Sequence, residues 1–261
     1  MTNFKNIFGE LKMKIEVIGS GTSTFHGGRP SSCYLLHSQS QKILFDFGEG
    51  ALIELSKKGM TYEHIHYIFL THYHGDHCTG LTSFLGVLLS AHLPALKYDV
   101  NIYGPKGLKK LVRRIIKTFN LHPTKEKLKK LHLHEFKKEE PVYLNKIKIQ
   151  PFFVKHGSKP AIAYRIEEQN KVFTYSGDCS VCPGIRFACE DADVALMDAA
   201  GFTSDHLNAQ EVAEIAEEAG VKNVVLTHIT YKEFKLGVRL KEFERASKIP
   251  VHQAHEGMKF I

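Results

Sequence analysis

The stretch Thr71-His72-Tyr73-His74-Gly75-Asp76-His77 sets three imidazoles and a carboxylate within six positions, directly after the apolar run at 67–70. Polar groups crowded beside a buried strand must find partners, since each one left desolvated and unpaired costs roughly 2–7 kcal/mol. A metal ion is the partner that suits this set. In an extended loop His72 and His74 share a side by their period of two. Asp76 and His77 stand where the loop turns into the next helix and can face a neighbouring ion. Imidazole with carboxylate suits Zn2+, with Mn2+ or Fe2+ as alternatives, and the cluster itself contains no thiolate. Four side chains cannot complete two sites, so more ligands must come from further along. Three candidates stand just beyond apolar runs: His156 after 151–154, Asp178 after 172–175 in Ser176-Gly177-Asp178, and His228 after 224–226 in Leu226-Thr227-His228. Strand ends are where α/β folds gather functional groups. A lone histidine in such a place is more often a satisfied surface or core residue; beside the cluster, the three form a series.

Positioning these residues requires strands that end in loops. Strands are expected at 14–18, 32–36, 43–45, 67–70, 100–103 and 224–226, with short strands within 131–149. Runs 162–166 and 172–175 flank a polar turn containing Asn170, as in a hairpin. Helices are expected at 51–58, 81–89 and 107–119. The clearest helix is 208–219: Asn208 can cap it with Glu211 three residues on, Val212, Ile215, Ala216 and Ala219 share one face, and Gly220 ends it.

The chain has 261 residues, 43% hydrophobic and 24% charged, a composition that excludes wholesale disorder. No apolar run approaches the ~20 residues that span a bilayer. Residues 1–12 contain no apolar segment with a cleavage site, so secretion is not expected. The five cysteines, at 33, 78, 179, 182 and 189, are odd in number and scattered, which favours a reducing cytoplasm over a disulfide scaffold. No Pro- or Gly-rich linker divides the sequence. The expected organisation is an extension at 1–12, with Met13 as an alternative start, and a single domain at 13–261 in two α/β halves dividing near 150. The net charge of +7 is uneven: residues 106–148 hold fourteen Lys or Arg against four Glu, a local +10 that leaves −3 for the rest. Such an excess suits an acidic partner or a solvated helix face.

His72-Tyr73-His74-Gly75-Asp76-His77, His156, Asp178 and His228 resemble, in order, the ligand series of the metallo-β-lactamase superfamily. The resemblance runs from about Met13 to Ile261 and implies an α/β fold, the four-layer αβ/βα sandwich. It also implies two divalent ions, one held by His72, His74 and His156, the other by Asp76, His77 and His228, with Asp178 bridging. Within the superfamily, Gly19-Ser20-Gly21-Thr22, Asp46-Phe47-Gly48-Glu49-Gly50, Ser176-Gly177-Asp178, Leu226-Thr227-His228-Ile229-Thr230 and Ala254-His255-Glu256-Gly257-Met258 resemble the ribonuclease Z branch. Asp46 is then expected to orient a ligand histidine, and His206 resembles the histidine that assists the leaving group. Two features depart from that branch. Met197-Asp198-Ala199-Ala200 stands where the branch carries His-Glu-Ala-Thr, so Asp198 replaces the Glu with a shorter reach. His156 and Asp178 are only 22 positions apart, too close for the tRNA-grasping arm common in that branch.

Together these readings point to a dinuclear metal-dependent hydrolase, a phosphodiesterase acting on RNA ends or small nucleotide diesters. A hydroxide shared by two ions is a strong nucleophile near neutral pH, and Asp76, His206 and Asp198 are the catalytic candidates. The alternatives are a hydrolase of thioesters, lactams or sulfate esters, or a non-catalytic member that binds RNA or protein through the basic segment. No membrane partner is expected, and the resemblance implies a homodimer. Cys179-Ser180-Val181-Cys182 lacks a second CxxC for a zinc ribbon, and the pairs His64/His66 and His132/His134 alternate like turn or strand residues without an acid partner. Gly19-Ser20-Gly21 is a turn, since no helix follows it at the spacing of a dinucleotide fingerprint. Gly27-Gly28-Arg29-Pro30 is expected at the mouth of the site.

Overall fold

Many strand positions alternate between two buried faces, which requires a packing layer on each side of each sheet. In β4 (Tyr67–Phe69) Ile68 meets one apolar cluster and Phe69 another. The computed structural model describes residues 13–24, 27–38, 41–94 and 96–261; the extension expected at 1–12 lies outside them. The first half runs β1 (Lys14–Gly19), β2 (Cys33–His37), β3 (Lys42–Phe45), β4, β5 (Val100–Gly104) and β6 (Leu131–Glu135). The second runs β7 (Val142–Leu144), β8 (Ile147–His156), β9 (Lys159–Glu168), β10 (Lys171–Tyr175), β11 (Val194–Asp198), β12 (Val224–Thr227) and β13 (Val251–Gln253). Finally β14 (Lys259–Phe260) returns antiparallel to β1.

The helices are α1 (Ala51–Lys57), α2 (Gly75–Cys78), α3 (Gly80–Leu88), α4 (Leu108–Thr118), α5 (Lys125–Lys129), α6 (Pro183–Cys189), α7 (Ala209–Glu218), α8 (Tyr231–Leu236) and α9 (Val238–Ala246). Among the described residues the sheets are ordered β14-β1-β2-β3-β4-β5-β6 and β13-β12-β11-β10-β9-β8-β7. Three apolar clusters separate four layers. One packs Ile68, Leu70 and Ile102 against Leu81, Phe84 and Val112 of the first helical layer. Another packs Ala195, Met197 and Leu226 against Ile185, Val212 and Ile215 of the second. The third lies between the sheets, where Tyr34, Phe45 and Phe69 meet Tyr164, Phe173 and Tyr175. This is the four-layer αβ/βα sandwich.

The strands β3, β4, β5 and β6 pair in parallel, as do β10, β11, β12 and β13. Parallel strands deliver their carboxyl ends to one edge of a sheet. Asp46 follows β3, the His72–His77 loop follows β4, Asp178 follows β10, Asp198 ends β11 and His228 follows β12. The antiparallel hairpin β8–β9, turned by Gly157 and Ser158, brings His156 to the same place.

The chain passes from the first sheet to the second within 136–141, ahead of the division expected near 150. The reason is a tight β7–β8 hairpin at Asn145 and Lys146, whose strands read in sequence as a continuation of β6. Gln169 and Asn170 join β9 to β10 with φ of 51° and 60°, the left-handed pair that a two-residue hairpin turn demands. Among the described residues, no helix is long and apolar enough to cross a membrane.

Candidate metal centre

The loop after β4 stays extended through His72 and His74, and His74 caps the short helix α2, so Asp76 and His77 leave from its first turn. Their donor atoms converge with those of His156, Asp178 and His228. In one group, His74 Nδ1 lies 3.1 Å from both His72 Nε2 and His156 Nε2. Asp178 Oδ2 is 3.7 Å from His72 Nε2 and 4.0 Å from His156 Nε2. In the other group, Asp76 Oδ2 is 3.7 Å from His228 Nε2 and 4.0 Å from His77 Nε2. Asp178 lies between them: its Oδ1 is 3.2 Å from His77 Nε2 and its Oδ2 is 3.3 Å from His228 Nε2. His72, His77, His156, His228 and Asp178 are buried, while His74 is exposed.

The partners of the outer ring nitrogens determine what the inner nitrogens can do. His77 Nδ1 donates to Asp46 Oδ2 at 2.7 Å, and His156 Nδ1 donates to the carbonyl of Asp205 at 2.9 Å. His72 Nδ1 donates to Thr71 Oγ1 at 3.0 Å, because the Thr71 hydroxyl itself donates to Asp46. Each inner Nε2 is then a lone pair. Bare nitrogens of His72 and His156 therefore face His74 Nδ1, which can donate at most one proton between them. Among the described residues, His77 Nε2 is buried without a well-aligned hydrogen-bond partner, with Asp178 Oδ1 standing 3.2 Å away. Bound metal satisfies these atoms, so the residues fit a metal site. Imidazoles with two carboxylates suit zinc among the common ions.

Charge points the same way. Burial and the neighbouring His77 hold His72 well below the usual imidazole range, and burial with His156 lowers His74, so both are neutral donors. Burial opposes ionisation of Asp178, but His228 and His77 outweigh it and keep the carboxyl well below its ordinary value. Burial likewise opposes charge on His77, yet Asp178 and Asp46 drive it well above the ordinary value. Those two carboxylates call for positive charge at this point, whether proton or metal.

Backbone strain accompanies the site. Asp46 and His228 sit at φ of 56° and 57°, a left-handed conformation that non-glycine residues adopt only where the surroundings enforce it. At Asp46, Tyr175 OH and the Thr71 N–H, both 2.7 Å from its carboxylate, supply that enforcement. At Gly177 (φ 57°) a Cβ would lie 2.6 Å from Thr71 Cβ, so only glycine lets β10 lead Asp178 past Thr71.

His206 stands beside the cluster. Its Nδ1 pairs with Asp198 Oδ2 at 2.9 Å and lies 3.9 Å from Asp178 Oδ2. Burial lowers its proton affinity, but Asp198 outweighs that and raises it. Asp198 is held in turn by the backbone N–H groups of Ala200 and Cys179.

Sequence reasoning missed several supports. Thr71 and Tyr175 are adjacent to motif residues, and that adjacency was a usable signal. Arg239 of α9 carried none: it donates to the Ala200 carbonyl at 2.7 Å and pairs with Glu233 and Glu242. Glu233 also accepts from Thr230, two residues beyond His228. Arg29, in the loop expected at the site mouth, is buried against Ser20, Ala254 and the Ile229 carbonyl. One expectation is corrected: His132 has an acid partner, Asp99 at 3.1 Å, because the β5–β6 register brings Asp99 alongside. Cys182 merely caps α6, and His64 bonds the Thr61 N–H. The α4 side chains Lys109, Lys110, Arg113, Arg114 and Lys117 are all exposed, while Leu108, Val112 and Ile115 face the core.

Residues 41–229 match the family model described as the beta-lactamase superfamily domain. Ribonuclease Z of Methanosarcina mazei is 26% identical over 271 aligned positions, covering 84% of this chain and 88% of that protein. The metallo-beta-lactamase fold protein YhfI from Bacillus subtilis superposes with a TM-score of 0.78 at 22% identity, over 95% of this chain and 98% of that one. The short form of human tRNase Z superposes with a TM-score of 0.75 at 23% identity, over 95% and 99% respectively.

Proposed function

The chain belongs to the metallo-β-lactamase superfamily, and from that premise we propose a two-metal phosphodiesterase acting on RNA ends or small nucleotide diesters. The observation that carries the reading is the pair of ligand groups with Asp178 close to both, and the His206–Asp198 pair directly beside them. Ribonuclease Z relatives that align along most of the chain support the phosphodiester class. His72, His74, His156 and Asp178 hold one ion, and Asp76, His77, His228 and Asp178 the other; zinc suits the donors best. Bound there, the two ions supply an activated water and neutralise charge that grows on the phosphoryl oxygens.

The chain's own residues do the rest. Asp46 and Thr71 fix the ring orientations of His77 and His72, so their donor nitrogens stay aimed inward. Asp198 occupies His206 Nδ1, leaving Nε2 to hold the proton for the departing oxygen. The hairpin joining His156 to Lys159 turns in two residues, so no arm projects there to grasp folded tRNA. Small diesters are therefore the better substrates, with RNA held weakly along the exposed basic face of α4. By family resemblance the assembly is a homodimer, and the five free cysteines suit the cytoplasm.

The deciding experiment is a substrate panel with zinc-loaded and chelator-stripped protein, with metal content measured alongside. Hydrolysis of a nucleotide diester by the loaded form alone is expected. Turnover of a thioester or sulfate ester with no diester cleaved would replace this reading.

A further inference from the structure

The loop from β11 to α7 carries a second feature beside the candidate site. Phe202 is 53% exposed and joins none of the three apolar clusters. Its ring centroid lies 4.6 Å from that of His206, and the His206 ring lies 5.4 Å from His228, nearly parallel at 12°. The three rings form a wall leading outward from the metal cluster, with Phe202 at its outer end. The loop under this ring is anchored. Arg239 holds the Ala200 carbonyl, Thr203 accepts from the His206 N–H, and Gly201 (φ 61°) turns tightly over the Arg239 guanidinium. An aromatic side chain left exposed on an anchored loop, against the ring that protonates the leaving oxygen, can receive a flat apolar group.

From this juxtaposition we propose that Phe202 is the stacking platform for the base of the leaving nucleoside. The inference rests on the phosphodiesterase reading and narrows its substrate class to diesters whose leaving group bears a nucleobase. In such a diester the leaving oxygen belongs to a ribose, and the base lies one sugar further out, where the wall continues from His206 to Phe202. Stacking tolerates any base, so preference for a particular base is not expected.

Two measurements test it. The first compares metal-loaded wild type and Phe202→Ala on the dinucleoside phosphate ApA and on the methyl ester of ribose 5-phosphate, neither of whose possible leaving groups bears a base. The preference for ApA should fall by about 5- to 150-fold, mostly through KM, and Phe202→Tyr should restore it. An unchanged preference would reduce Phe202 to a support for the His206 loop. The second does not need turnover. The chain contains no tryptophan, so Phe202→Trp creates a single indole reporter. Its fluorescence should be quenched, with saturation, by adenosine 5′-monophosphate and not by ribose 5-phosphate. Equal responses to both ligands, or to neither, would overturn the proposal. If neither diester is cleaved by wild type, the phosphodiesterase reading fails on its own, and the fluorescence titration still decides the stacking role.

Discussion

At the scale of single residues, Asp178 and His206 make separable predictions. Asp178 reaches into both ligand groups, 3.2 Å from His77 and 3.3 Å from His228 in one and 3.7 Å from His72 in the other. Asp178→Ala should lower bound metal from about two ions per chain and abolish turnover; elemental analysis beside an activity assay checks this, and a metal-free variant that still turns over would end the reading. His206 contacts Asp198 through one nitrogen, and although its donor atoms also converge with Asp178 and His228, neither ion as assigned above needs it. His206→Ala should keep its metals and lose ~10²–10⁴-fold in turnover on esters with poor leaving groups. With a nitrophenolate leaving group, which needs little protonation, the loss should shrink. An equal loss on both would make His206 a structural support.

At the scale of elements, α7 and α4 behave differently. The α7 cap is reciprocal: Asn208 Oδ1 accepts from the Glu211 N–H while Glu211 Oε2 accepts from the Asn208 N–H, each at 2.9 Å. Asn208→Ala should cost about 1 kcal/mol, and since Asn208 closes the loop bearing His206, the thermal midpoint should drop by ~2–4 °C. A midpoint unchanged by calorimetry would show that the cap is dispensable. α4 buries Leu108, Val112 and Ile115 and turns its cations to solvent. Neutralising Arg113 and Arg114 should weaken RNA binding and flatten its dependence on log salt by about one unit per lost phosphate contact. An unchanged slope would leave α4 as a solvated face.

At the scale of the molecule, the candidate metal ligands come from both halves. His72, His74, Asp76 and His77 come from the first sheet's loops, whereas His156, Asp178 and His228 come from the second's. Ions that bind only this arrangement stabilise the whole sandwich by mass action, by about 4 kcal/mol when free metal is a thousandfold above Kd. Removing them with a chelator should lower the thermal midpoint, and added zinc should restore it. An identical melting curve with and without metal would mean that the cluster contributes nothing to joining the halves.

What could be read from sequence alone was local. Buried strands announce themselves as apolar runs, and the candidate ligands stand directly beyond them or within one short loop, so residue type and position identified both. The α7 cap was equally legible, because its two partners are three residues apart. Tertiary structure alone decided how these pieces share atoms. Tyr175 reaches Asp46 across 129 positions, and Arg29 reaches Ile229 across 200. Arg239 ties the His206 loop to the segment after His228 from a helix with no motif of its own. The early crossing between sheets was hidden because a two-residue hairpin separates strands that look continuous in sequence. These contacts depend on the order in which strands join their sheets, and that order follows from burying three apolar interfaces at once, which no short stretch of sequence encodes.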